Sequence, residues 1–180
     1  HSLFCAESAM TDGFLLVYSD ILFDETLVKR LLDSEGDIVL LLDKSYRYHT
    51  HDVNKSLDLV TADRQDTNNI RSLAVDSLRT ISKIGKQVVR QENTFEFVGM
   101  GFFSEKGAEI LRNIYNDAKT RNLSPFHEAS EFSQASFNDI IQEAINQGHK
   151  VSGLEISNGW IEIHERVDVK RAEEELEIIR

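Results

Sequence analysis

Cysteine and proline are almost absent from this sequence of 180 residues, which has one of each. A single cysteine excludes an intrachain disulfide and a zinc cluster built from cysteines. Cys5 stands in an apolar stretch, so we expect a buried, inert thiol there. The lack of disulfides fits a reducing compartment.

Long apolar runs and an excess of basic residues are also missing. No run approaches the roughly 20 apolar residues of a membrane span, and the first residues, His1–Cys5, lack the charged start of a signal peptide. We therefore expect a cytoplasmic protein without a membrane partner. Because 31 acidic and 20 basic residues give a formal net charge of −11, we also expect no nucleic-acid partner.

Apolar residues make up 41% of the sequence, enough for one compact domain over residues 1–180. The runs Phe14–Tyr18 and Ile38–Leu42 are apolar on both faces and predict buried, parallel strands, the second of which ends at Asp43. Between them, Asp24 is placed to cap a helix that extends to about Glu35. Such a unit brings the strand ends, and with them Asp20 and Asp43, to one edge of a sheet.

The rest of the sequence predicts further strands and helices. The segment from Lys44 to about Ile84 indicates short, partly antiparallel strands, and Ser136 with Asp139 has the form of a capping box. The other predicted elements are a strand at 95–103, helices at 104–120 and 140–146, strands at 151–156 and 160–164, and a charged helix starting at Asp168. The predicted fold class is α/β: a Rossmann-like, mixed and mainly parallel sheet flanked by helices.

Several segments, taken in order, resemble those of nucleotidyltransferases. Leu15–Asp24 is similar to the strand that ends in a metal-binding acid in that family, and Ile38–Asp43 to the strand that follows. Ile84-Gly85-Lys86 resembles the Gly-Lys turn of that family, and Phe95–Met100 is similar to its strand that contains a Glu-Phe pair. Gly159–His164, followed by Asp168 and Ala172, resembles the ending of these enzymes.

The resemblance covers nearly the whole chain and corresponds to the C-terminal two-thirds of the family's fold. It is closest to the cytidylyltransferase-like modules found with phosphoenolpyruvate mutase and to phosphocholine cytidylyltransferases. It implies transfer of a nucleoside monophosphate from a nucleoside triphosphate, with CTP favoured, to a small phosphate or phosphonate such as phosphocholine or 2-aminoethylphosphonate. Mg²⁺ is the implied cofactor. The number of subunits is left open, and a homodimer is the assembly considered. A sugar-1-phosphate nucleotidyltransferase and a non-catalytic assembly or regulatory module are the alternatives.

Two departures from the family pattern bear on function. The Gly-rich loop that cradles the nucleotide, and the lysine that follows it, have no counterpart here. We therefore expect the chain to begin inside the domain and these 180 residues alone to be inactive or very weak. The second departure is His164, which stands where the family has a metal-binding aspartate.

The resemblance assigns the candidate site residues. Asp20, Glu162 and Asp168 are the predicted metal ligands, and the predicted catalytic residues around the acceptor are Lys86, Glu96 and His164. Each has an ordinary alternative: Asp20 can be a turn residue, Asp168 a helix cap, and Lys86 and Glu96 exposed charges. No residue is assigned to the nucleotide.

Aromatic and histidine side chains add two weaker hypotheses. Tyr18, Tyr46, Tyr48 and Trp160 offer ring faces for a quaternary ammonium group, although Tyr18 also fits the core. His49 and His51 have a metal-like spacing, but two histidines in a polar segment favour an ordinary loop.

Overall fold

The computed structural model describes residues 2–48, 56–64 and 78–179; the histidine pair at 49 and 51 lies outside these ranges. Four α-helices are present in the described residues: α1 Glu25–Leu32, α2 Glu105–Arg121, α3 Phe137–Asn146 and α4 Arg166–Ile179. The strands are β1 Phe14–Val17, β2 Ile21–Phe23, β3 Ile38–Asp43, β4 Leu59–Arg64, β5 Arg79–Gly85, β6 Thr94–Phe103, β7 Ser152–Ile156 and β8 Trp160–Glu162. Short 3₁₀ turns occur at Leu3–Ala9, Ser45–Tyr48 and Phe132–Gln134.

Six strands form the main sheet in the order β1-β6-β3-β7-β5-β4, and β4 also pairs with β6. Strands β1, β3, β4 and β7 run in one direction, whereas β5 and β6 run in the other. The predicted α/β fold with a mixed sheet is therefore confirmed. The antiparallel β6 lies between β1 and β3, so the two strands of the predicted crossover are parallel without being neighbours.

The first strand differs from its prediction. Phe14–Val17 is only partly buried and pairs antiparallel with β6, so the prediction of a buried strand was wrong. Within the described residues β1 stands at the end of the sheet, and an end strand is covered less than a central one. By contrast, every residue of β3 is buried, as the apolar run predicted.

The prediction for Cys5 was also wrong, because this residue is exposed. The 3₁₀ turn at Leu3–Ala9 contacts the core through Phe4, whose ring stacks on Tyr115 at a centroid distance of 3.8 Å. Phe4 is the one buried residue of that turn. The apolar segment around Cys5 is therefore buried on one side only.

The helix starts agree with the sequence. Asp24 accepts a hydrogen bond from the Thr26 N–H at 2.8 Å, and Ser104 accepts one from Gly107 at 3.1 Å. The predicted capping box of Ser136 and Asp139 is present at the start of α3. The last helix begins at Arg166 instead of Asp168, which lies in its first turn. None of the helices in the described ranges is both long and apolar enough to cross a membrane.

A small ribbon of β2 and β8 lies outside the main sheet and brings two distant segments together. Ile21 pairs with Glu162 and Phe23 with Trp160. Beyond the ribbon ends, the Ile163 N–H donates to the Asp20 carbonyl at 2.7 Å. This pairing places Asp20 beside residues that follow it by more than 140 positions.

Candidate metal and acceptor site

Three potential metal ligands converge at the end of the β2–β8 ribbon. One ligand atom from each of Asp20, Glu162 and His164 lies within 4.8 Å of the others. His164 Nε2 is 2.6 Å from Glu162 Oε1. The structure thus groups two residues predicted as metal ligands with a histidine predicted to line the site.

The donor types fit a divalent cation. Carboxylate oxygens are the preferred ligands of Mg²⁺, and an imidazole nitrogen suits softer ions such as Mn²⁺ or Zn²⁺ better. Two carboxylates also supply the negative charge that a dication requires. In the described structure His164 contacts Glu162 directly, so an ion bound by both would have to enter between them.

Asp168 lies next to this group but uses one carboxylate oxygen for the backbone. Asp168 Oδ2 accepts hydrogen bonds from the N–H groups of Glu165 at 2.8 Å and His164 at 3.0 Å. These bonds hold the pKa of the Asp168 carboxyl below its usual value. The residue therefore fixes the start of α4 and the backbone of His164, and its ligation of a metal stays a prediction.

A cavity of about 50 Å³ adjoins the three-residue group and shares Glu162 with it. Its polar lining includes Tyr18, Asp58, Glu96 and Glu162, and Trp160 contributes an aromatic surface. Glu96 is buried near the start of β6. An acid-lined recess with an aromatic ring attracts a cationic group more than a neutral one.

Asp58 is a cavity residue that the sequence analysis missed. Its Oδ1 atom is buried and has no hydrogen-bond partner among the described residues. Burial raises the pKa of Asp58; the Lys86 ammonium and a hydrogen bond from Asn138 lower it, and Glu128 and Glu162 raise it. The available signal was an acid between Leu57 and Leu59, both of which are buried.

Tyr18 lies among the acids of the site. Burial raises the pKa of its phenol, and the nearby carboxylates of Asp58 and Asp20 raise it further. The hydroxyl is therefore a neutral group at physiological pH. It can donate to an oxygen of a bound molecule without adding charge.

Lys86 is exposed, and its backbone is held by a carboxylate from another segment. Glu128 accepts hydrogen bonds from the N–H groups of Lys86 and Gln87, each at 2.9 Å. The ammonium of Lys86 is near enough to lower the pKa of Asp58. Lys86 is thus within electrostatic range of the cavity, although it is not among the lining residues.

The candidate aromatic residues separate into two groups. Tyr18 and Trp160 line the cavity. Tyr46 is buried in another cluster and hydrogen-bonds Thr94 at 2.8 Å, and Tyr48 is 85% exposed. Only the first pair lies where it can contact a ligand of this cavity.

The architecture that carries this site is the nucleotidyltransferase fold. The chain is similar to the inositol-1-phosphate CTP transferase from T. maritima, with a TM-score of 0.60 and 21% identity over 97% of this chain and 59% of that chain. It is also similar to the UTP-bound UGPase from Acinetobacter baumannii, with a TM-score of 0.62 and 11% identity over 100% of this chain and 56% of the other.

A third structure of this fold is a putative glucose-1-phosphate thymidylyltransferase from Bacillus anthracis in complex with a sucrose. Its TM-score is 0.55 and its identity 15%, over 95% of this chain and 57% of that one. The chain therefore spans less than two-thirds of the length of these three structures. No family model and no curated protein sequence matches it.

Proposed function

We propose that this chain forms the metal-binding and acceptor-binding part of a nucleotidyltransferase. The reaction joins a phosphate or phosphonate oxygen of a small acceptor to the α-phosphorus of a nucleoside triphosphate and releases pyrophosphate. The observation that carries the proposal is the group of Asp20, Glu162 and His164 beside an acid-lined cavity. The likeness to nucleotidyltransferase structures supports it.

The chemistry requires that two anionic reactants approach each other. A divalent ion, Mg²⁺ in this proposal, would be held by Asp20 and Glu162 and would offset the negative charge of both phosphates. Lys86 contributes a flexible positive charge for the acceptor phosphate. Asp168 orients the backbone that carries His164 and is proposed as a further ligand.

The cavity supports an acceptor with a positively charged head. Asp58, Glu96 and Glu162 supply negative charge, and Trp160 offers a ring to which a cation is attracted. An aminoalkyl phosphate or phosphonate, such as phosphocholine or 2-aminoethylphosphonate, combines that cation with the phosphate oxygen that reacts. We favour CTP as the nucleotide because of the sequence resemblance to cytidylyltransferases.

A sugar or polyol phosphate is the second candidate acceptor. Two of the structural neighbours are an inositol-1-phosphate CTP transferase and a putative glucose-1-phosphate thymidylyltransferase. Glu96 could then accept hydrogen bonds from hydroxyl groups instead of facing an ammonium. The two candidates differ in charge, so the acceptor that yields pyrophosphate distinguishes them.

The test is pyrophosphate release by the full-length protein with CTP and Mg²⁺. The acceptors compared are 2-aminoethylphosphonate, phosphocholine and glucose 1-phosphate. We expect Asp20→Asn to lower the rate by about 100-fold or more, because metal stabilisation of charge contributes several kcal/mol. Asp117→Asn, which alters an exposed acid of α2, is the matched control.

An unchanged rate in Asp20→Asn would contradict the catalytic role and favour a non-catalytic module. A separate titration tests the role of the missing Gly-rich loop. The 180 residues alone should bind CTP with Mg²⁺ weakly, and micromolar affinity would show that no such loop is needed.

A further inference from the structure

The end of β3 carries a buried carboxylate that the proposed reaction does not use. Asp43 is 1% exposed and follows five buried apolar residues. Its backbone lies between β6 and β7, where it pairs with Glu96 and Ile156. A charged group at such a position is costly unless hydrogen bonds compensate for the lost water.

The compensating donors come from two parts of the chain that are far from each other in sequence, Ser45 and Trp160. The Ser45 N–H donates to Asp43 Oδ1 at 2.7 Å, and Ser45 Oγ lies 2.8 and 2.9 Å from the two carboxylate oxygens. The Trp160 Nε1–H donates to Asp43 Oδ2 at 3.1 Å. The bonds from Ser45 belong to a local turn, whereas the indole bond joins residues 117 positions apart.

Trp160 is held at two points as a result. Its backbone pairs with Phe23 in the β2–β8 ribbon, and its indole nitrogen is bonded to the end of the main sheet. The same side chain lines the cavity with Asp58, Glu96 and Glu162. A ring with two rotatable bonds needs such an anchor to keep one orientation toward a ligand.

We propose that Asp43 is a positioning residue of the acceptor cavity, which holds the Trp160 ring against the acid-lined recess and so determines acceptor affinity. The effect on the acceptor depends on the proposed function, whereas the anchoring of the ring does not. Asp43 acts through Trp160 and does not contact the reacting groups. A carboxylate suits this role because the indole N–H is a donor only.

The anchoring is tested by NMR on the chain of 180 residues. Trp160 is the only tryptophan in the sequence, so a ¹H–¹⁵N spectrum has a single indole signal. Asp43→Asn should shift that signal and speed its hydrogen exchange about tenfold, because a hydrogen bond to a charged acceptor is replaced by a weaker one. Ser45→Ala, which keeps the indole bond, should leave the exchange rate close to that of the wild type.

An indole signal with unchanged shift and exchange in Asp43→Asn would overturn the proposal. If that variant does not fold, Trp160→Phe takes its place, because it removes the donor and keeps both Asp43 and an aromatic ring. Trp160→Phe should then raise the KM for the acceptor, and an unchanged KM would count against the proposal.

The consequence for the acceptor is measured in the pyrophosphate-release assay. Asp43→Asn should raise the KM for the acceptor about tenfold, since it weakens the same bond, with kcat nearly unchanged. The double variant Asp43→Asn/Trp160→Phe should resemble Trp160→Phe, because the two residues act as one unit. A fall in kcat at constant KM, or independent effects of the two changes, would overturn the positioning role.

The two proposals can fail separately. If the wild-type protein releases no pyrophosphate from CTP with any of the three acceptors, the proposed function is contradicted. The indole exchange rates would then decide by themselves whether Asp43 anchors Trp160.

Discussion

His164 is the one residue of the group Asp20, Glu162 and His164 that is not a carboxylate. The imidazole contributes a nitrogen and, when neutral, no charge, whereas Mg²⁺ prefers oxygen ligands. Its Nε2 atom is 2.6 Å from Glu162 Oε1, and an aspartate at this position would add a third carboxylate to the group. In the proposed metal site, residue 164 therefore affects the choice between Mg²⁺ and softer ions.

We expect His164→Asp to strengthen Mg²⁺ binding by about tenfold, because it adds a charged oxygen ligand to Asp20 and Glu162. Isothermal titration calorimetry on both proteins measures the difference. His149→Asp, outside the group, makes the same change in net charge and should leave the affinity nearly constant. Equal affinities for His164→Asp and the wild type would show that residue 164 does not reach the ion.

Asp58 lines the cavity, and its ionisation affects the stability of the folded protein. Because burial raises its pKa in the folded protein, its stabilising contribution is present below the usual pKa of aspartate and is lost as the pH rises through the raised value. At pH 7 the ionised group therefore disfavours the fold. Asp58→Asn removes that charge and should raise the melting temperature at pH 7.

The gain from Asp58→Asn should shrink as the pH falls through the raised pKa of the wild-type carboxyl, and it should be smallest below the usual pKa of aspartate, about 4. Thermal melts at a series of pH values test this, with Asp63→Asn as a control at an exposed residue of β4. A melting temperature that falls at pH 7 would mean that the ionised carboxylate stabilises the fold.

Among the helices, α2 depends on close contact with the segment that precedes β3. A side chain added at Gly107 would overlap the carbonyl oxygen of Asp37, and the Ser104 N–H donates to that same carbonyl at 2.9 Å. The glycine is therefore required by packing, although its position is in the first turn of a helix.

Gly107→Ala should lower the free energy of unfolding by about 1–3 kcal/mol, as overpacked substitutions do. Helix propensity alone predicts the opposite sign, a gain of about 1 kcal/mol. Glu109→Ala, exposed on the same helix, should change stability by less than about 0.5 kcal/mol. Denaturant unfolding measures both variants, and a stabilised Gly107→Ala would contradict the packing seen here.

At the scale of the whole molecule, local sequence patterns predicted the secondary-structure elements well but did not predict the contacts between them. The strand predicted from the apolar run Ile38–Leu42 and the capping box at Ser136 depend on neighbouring residues, and both predictions are confirmed. The exposure of Cys5 depends on which side of its 3₁₀ turn contacts the core, and the partial exposure of β1 depends on its place at the end of the sheet. An apolar stretch of sequence reveals neither. For the same reason the bond between Asp43 and Trp160 could not be predicted, since it joins separate elements.

The candidate site shows the same division. The resemblance predicted Asp20 and Glu162, but their approach results from the pairing of β2 with β8. Asp58 has no motif of its own, and its importance comes from burial beside the cavity. The sequence thus predicts which residue types take part, and the fold determines which of them meet.

In the proposed site, Asp20 and Glu162 bind one divalent ion beside the acceptor cavity. Titration of the full chain with Mn²⁺, followed by calorimetry, tests it most directly. We predict one ion per chain, with affinity reduced at least about tenfold in Asp20→Asn and in Glu162→Gln and retained in Asp117→Asn. Wild-type affinity in Asp20→Asn would contradict the claim.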